Sequence, residues 1–145
     1  WNMAYQVSIF LENKIGHLRK ITTLLAENQI NIRTMNLTHT SNDWGVLNLI
    51  VDFPDKAHQV LNSQNFSVAL REVIALEMDD HPGGLDNLLG KVEAAGVNFT
   101  NAYSRILKAG GEAFLILDSA DTEQAREKLK KLGLAPLDDE TVYGK

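Results

Sequence analysis

The stretch that decides the fold is Met78-Asp79-Asp80-His81-Pro82-Gly83-Gly84-Leu85, read beside Leu11-Glu12-Asn13-Lys14-Ile15-Gly16-His17-Leu18. Sliding the chain by 67 residues lays Gly16 on Gly83, Leu18 on Leu85 and Asn31 on Asn98. Working outward, Ile21 meets Leu88, Leu25 meets Val92, Ile30 meets Val97 and Ile32 meets Phe99. Upstream, Val7, Ile9 and Leu11 meet Ile74, Leu76 and Met78. After a one-residue gap, Gly45…Leu49-Ile50-Val51-Asp52 meets Gly111…Leu115-Ile116-Leu117-Asp118. Apolar positions that stay in phase in the same order indicate a duplicated unit.

Each copy reads strand, helix, strand, strand, helix, strand. Val7, Ile9 and Leu11 alternate with their neighbours, the period of a half-buried strand. Leu18, Ile21, Leu24 and Leu25 form a helical stripe ending near Asn28. Ile30 and Ile32 begin a second strand. Thr40-Ser41-Asn42-Asp43 is a turn cluster, Val46 to Val51 a central strand, and Asp55 a cap for a helix carrying Ala57, Val60 and Leu61. Val68 and Leu70 begin the last strand. In the second copy Leu85, Leu88, Leu89 and Val92 share one helix face, and Gly96 suits its C-terminus. Ala113 to Leu117 is a strand, and Asp121 with Gln124 resembles a capping box. Leu137 to Val142 is expected to be the final strand.

The expected fold is therefore α+β: two ferredoxin-like βαββαβ units. Their antiparallel sheets are covered by helices on one face, and they pack as a pseudo-twofold pair. Residues 1–4 read as an N-terminal tail, with Trp1-Asn2 ahead of Met3 as an added remnant. The units are expected over 5–71 and 72–145, joined tightly because Arg71-Glu72 carries no Gly/Pro/Ser linker. A unit of about 70 residues is marginal alone, which favours pairing.

Composition narrows the function. The 145 residues are 44% hydrophobic, enough for a real core, and carry a net charge of −5. Acidic balance and the lack of an aromatic RNP-like strand speak against a nucleic-acid partner. The chain has no cysteine, which removes thiol catalysis and thiolate metal sites. It fits a reducing cytoplasm. No apolar run approaches the ~18 residues of a membrane span.

The two loops are the chemically interesting feature. Glycine lets the chain turn sharply and lets a ligand approach the backbone. The helix that follows offers unsatisfied N–H groups and a positive dipole end to a carboxylate. Asn13 or Asp80 can accept from an ammonium group, so the pair of features suits a free amino acid. The alternative is that Asn13 and Asp80 simply cap the helices.

Asp80-His81-Pro82-Gly83-Gly84-Leu85 with Gly96-Val97-Asn98, and Asn13-Lys14-Ile15-Gly16-His17-Leu18 with Gln29-Ile30-Asn31, resemble the ACT domain, a regulatory amino-acid-binding module. The resemblance covers nearly the whole chain, twice. It is closest to stand-alone tandem ACT proteins. It implies a non-enzymatic sensor holding an effector amino acid between paired units. Asn13 would share a pocket with Asn98, and Asp80 with Asn31, while Arg33, Thr100 and Tyr103 would line the pockets. Ile15 stands where the family carries Pro, and Gln29 where it carries Gly. Asp80, in place of Asn, would favour an ammonium and repel an acidic ligand side chain.

Other chemistries are poorly supplied. Adjacent residues of an extended segment point oppositely, so Asp79-Asp80-His81 makes a poor metal site. Gly84 to Val92 departs from a P-loop in spacing and in its last residue. Ser8, Ser41, Ser63, Ser67, Ser104 and Ser119 lack a nucleophile elbow. No cofactor motif is present. His17 reads as a solvated loop residue or a pocket wall, Lys128-Lys130-Lys131 as a wet helix face, and Trp44 as a packed hairpin aromatic or an interface residue. The competing function is an interaction module with vestigial pockets, forming homodimers through an exposed edge strand.

Overall fold

The computed structural model describes residues 3–12, 14–40 and 42–145, with the side chain of Ile15 excepted. The expectations for Trp1-Asn2, Asn13 and Ser41 lie outside the described residues.

The first copy runs β1 (Ala4–Glu12), α1 (Ile15–Glu27), β2 (Ile32–His39), β3 (Trp44–Val51), α2 (Pro54–Ser63) and β4 (Ser67–Asp79). Its strand order is β2-β3-β1-β4. β3 pairs antiparallel with β1, setting Val7 against Leu49 and Ile9 against Leu47, and antiparallel with β2. The alternation in β1 puts Val7, Ile9 and Leu11 on one face, where they meet Leu47, Leu49 and Val51. α1 lays Ile21 and Leu25 on that face, and α2 adds Ala57 and Leu61, all buried. The helices thus share one side of the sheet, as a βαββαβ pattern requires.

The second copy begins inside β4, which crosses Arg71-Glu72 without a break, and continues α3 (Gly84–Ala95), β5 (Asn101–Ile106), β6 (Glu112–Asp118) and α4 (Thr122–Lys131). Its strand order is β4-β6-β5, antiparallel throughout. Ile74, Leu76, Leu115 and Leu117 form its core with Leu88 and Val92 of α3 and Ala125 and Leu129 of α4. Ferredoxin-like α+β units are thus the architecture of this chain.

Several details differ from the sequence expectation. Leu137–Val142 is not a strand: one ladder-like bond, from the Leu137 N–H to the Ala75 carbonyl (2.8 Å), precedes α5 (Asp139–Tyr143). Pro136 has no N–H to continue a ladder, and Asp139-Glu140 favour a helix start. Asp55 does not cap α2. Phe53 holds that position and Pro54 begins the helix, because a fixed φ suits the first turn. Leu85, expected on the buried stripe of α3, is 45% exposed, since it sits in the first turn, ahead of the core contacts of Leu88. Asp121 does cap α4, accepting from the Gln124 N–H at 3.1 Å.

The compact units are not simple sequence halves. Residues 140–145 pack with 5–71, whereas Met3–Ala4 pack with 72–139. The Tyr143 hydroxyl accepts from the Tyr5 N–H at 2.8 Å. Arg33 donates through Nε to the Tyr143 carbonyl (2.8 Å) and through Nη2 to that of Gly144 (3.3 Å). Gly144 has φ +78°, and a Cβ there would lie 2.7 Å from Arg33 Nε, so this close approach requires glycine. In the other unit Glu72 accepts from Arg126 Nη2 and Thr122 Oγ1, both at 2.9 Å.

Candidate functional site: two strand-to-helix loops

The first loop leaves β1 at Glu12. Lys14 N–H donates to the Glu12 carbonyl at 2.8 Å, and Lys14 Nζ lies 2.9 Å from the Glu12 carboxylate. The ammonium beside it, by hydrogen bond and charge, holds the Glu12 carboxyl below its ordinary pKa. Reciprocally, Lys14 is raised. Lys14 is the N-cap of α1 in extended conformation and supplies no side-chain cap. Gly16 and His17 are exposed in the first turn, and Leu18 packs partly against the core. His17 also lines a hollow of ≈ 320 Å³ with Phe10, Leu11, Glu12, Trp44, Asn65, Phe66 and Ser67.

The second loop is more sharply specified. Gly83 is the N-cap of α3 at φ +88° and offers no side chain. A Cβ on Gly84 would sit 2.1 Å from the Asp79 carbonyl oxygen, so the backbone turns back on itself there. The Gly84 N–H reaches the His81 carbonyl at 2.9 Å, and the His81 N–H reaches that of Asp79 at 3.1 Å. Asp80 does not cap α3. Its Oδ2 accepts from the Gly110 N–H at 2.8 Å, and its own N–H donates to the Gly111 carbonyl at 2.9 Å. The acid is thereby turned toward the β5–β6 connection. His81 Nδ1 is 3.0 Å from the Pro82 carbonyl, and Nε2 is 3.7 Å from Asp79.

The strand residues expected to complete the pockets sit elsewhere in each unit. The Asn31 N–H donates to Asp52 Oδ1 at 2.9 Å. Arg33 is engaged by the carbonyls of Tyr143 and Gly144. The Asn98 carbonyl accepts from Ser119 Oγ at 3.0 Å. Asn98 shares a polar hollow of ≈ 190 Å³ with Gly96, Ser119, Asp121 and Lys128, among others. Thr100 Oγ1 donates to the Asp118 carbonyl at 3.0 Å. Burial, and then the charge of Asp118, push the Tyr103 hydroxyl well above its ordinary pKa.

Within one unit the loop and the second-strand Asn are separated by the intervening helix. α3 has 12 residues, about 18 Å at 1.5 Å per residue. Asp80 and Asn98 therefore do not meet on one small ligand inside their own unit, and the same holds for His17 and Asn31 across α1.

Sequence reasoning passed over the hollow walled by Phe10 and Trp44. Their rings stack with centroids 4.9 Å apart and planes 6° apart. The available signal was Phe10 on the otherwise polar face of β1, facing away from Ile9 and Leu11. Among the described residues, no group of three or more His, Asp or Glu is placed to hold a metal ion. No described helix is long and apolar enough to cross a membrane.

Two ferredoxin-like units in one chain define the class of protein. The chain belongs to the ACT domain pair family, whose model it matches over residues 3–143. Protein BT0572 from Bacteroides thetaiotaomicron is similar in structure, with a TM-score of 0.86 and 31% identity, over 99% of this chain and 97% of that one. The regulatory subunit of aspartate kinase from Thermus thermophilus, in its ligand-free form, shares the fold at 0.64 and 15% identity, over 88% and 91%. Its counterpart from Thermus flavus does so at 0.61 and 14%, over 91% and 93%. No curated protein matches the chain.

Proposed function

We propose that this chain is a non-enzymatic regulatory protein of the cytoplasm that senses a free amino acid through its strand-to-helix loops. The observation that carries the reading is the start of α3. Asp80 is drawn off to Gly110 and the N-cap is glycine, so beyond the Gly84 N–H, held by the His81 carbonyl, no side chain competes for the first N–H groups of the helix. An uncapped helix start with a positive dipole end suits a carboxylate. The loop carboxylates, Asp79 exposed and Glu12 and Asp80 half-buried, suit an ammonium. Fold likeness to regulatory subunits of aspartate kinase agrees with a regulator of amino-acid metabolism. β2 and β5 are the outer strands of their ladders, and a second copy adding to one of them would give a homodimer.

The test is calorimetry and thermal shift on the whole chain against the common amino acids. Binding by at least one at millimolar concentration or better is expected. Asp80→Ala removes a loop carboxylate and its tie to Gly110, and should lower affinity while circular dichroism shows the chain still folded. Silence from every amino acid would sink the sensor reading in favour of an interaction module.

A further inference from the structure

We propose that the hollow beside the first loop is a side-chain pocket that selects amino acids with a large apolar, above all aromatic, side chain. This rests on the amino-acid reading above and names the ligand class of one site. The floor is the stacked, nearly parallel pair Phe10 and Trp44, 47% and 38% exposed. Two large rings stacked on each other and partly open to water form a small exposed apolar surface at the edge of the hollow. Phe66 adds a third aromatic wall and Asn65 a polar one. Asn65 holds φ +66° just past the end of α2, a left-handed position that Asn tolerates at a helix terminus.

The rim is polar where the floor is not. Glu12 ends β1 and His17 lies in the first turn of α1, so the two flank the first loop and set a polar rim beside the apolar floor. The Glu12 carboxylate is paired through one oxygen with Lys14 and borders the hollow, where a ligand ammonium would share it. At ≈ 320 Å³ the hollow lies at the lower end of small-molecule sites, roughly 300–1,000 Å³. That size and its mixture of aromatic floor and charged rim match one amino acid, its side chain stacked on the rings and its charged end on the loop. Offset stacking of aromatic rings supplies selectivity beyond area alone.

The experiment titrates the full chain with L-phenylalanine, L-leucine, L-serine and L-aspartate by calorimetry, following fluorescence in parallel. Trp44 is one of two tryptophans and reports on the pocket directly. L-Phenylalanine should bind at least roughly tenfold more tightly than L-serine. Trp44→Ala should weaken L-phenylalanine by a similar factor, while Trp44→Phe keeps most of the affinity. Circular dichroism checks that both variants are folded, and Phe10→Ala serves as the second probe. If L-serine or L-aspartate binds best, or affinity is indifferent to Trp44 and Phe10, the pocket is overturned and the amino-acid reading survives. If none of the four and no other amino acid binds, both fall. If Trp44→Ala changes the oligomeric state and leaves affinity alone, the rings are a contact between copies and the pocket is overturned.

Discussion

Gly84→Ala probes the loop on which the site reading depends. The added Cβ would lie 2.1 Å from the Asp79 carbonyl oxygen, whereas ordinary contact begins near 3.4 Å. The helix start or the carbonyl must therefore move by about 1.3 Å. Both are tied down: Asp79 pairs with Glu112 in the ladder, and its carbonyl accepts from His81. Overpacking of this kind costs roughly 1–3 kcal/mol, and straining one or two loop hydrogen bonds adds about 1 kcal/mol each. We expect about 3 kcal/mol, or about 10 °C in Tm for a chain of this size. Gly83→Ala meets open space and suffers the left-handed φ alone, about 1–2 kcal/mol. Gly16→Ala, in open space inside α1, should gain up to about 1 kcal/mol from helix propensity. Thermal unfolding followed by circular dichroism ranks the three. A Gly84→Ala protein as stable as Gly83→Ala would refute the close approach.

Gln29 holds φ +57° at the end of α1, so Gln29→Gly should raise stability by about 0.5–1 kcal/mol, read from the urea midpoint. Glu72→Ala leaves the buried guanidinium of Arg126 without its carboxylate. The expected loss is about 3 kcal/mol, with a smaller loss for Glu72→Gln, by the same measurement. The Lys14–Glu12 pair should hold above the usual carboxylate range and below the usual lysine range. It is lost as pH falls through the depressed Glu12 pKa, or rises through the elevated Lys14 pKa. An NMR titration of Lys14→Gln should show the Glu12 carboxyl moving up toward its ordinary value.

Much of the fold was legible because burial dictates periodicity. Val7, Ile9 and Leu11 could be paired with Ile74, Leu76 and Met78 from the sequence alone, since a strand with one face packed on helices repeats every second residue. Asp121 was readable as a cap because that interaction is local. What escaped depended on distant partners. The repeat calls for a strand at Leu137 to Val142, but the acidic run Asp138-Asp139-Glu140 is poor strand material, and Val142 and Tyr143 are buried within a short helix. Arg33 looked like a pocket residue, and the carbonyls it bonds lie 110 and 111 residues away. The loops announced themselves through glycine. The Phe10–Trp44 stack did not, because nothing in either local sequence says that the two rings meet.

The crossing of chain ends has a practical consequence for anyone who shortens this protein. A stop codon placed before Asp139 deletes nothing from residues 5–71, yet it strips that unit of Tyr143 and Gly144. Arg33 and the Tyr5 amide then lose their acceptors. A cut between Arg71 and Glu72 would likewise sever a continuous strand. Duplication in the gene is linear, but the parts that must be expressed together are not. Neither half is a natural fragment, and damage at the carboxyl end should first be felt in the amino-terminal unit.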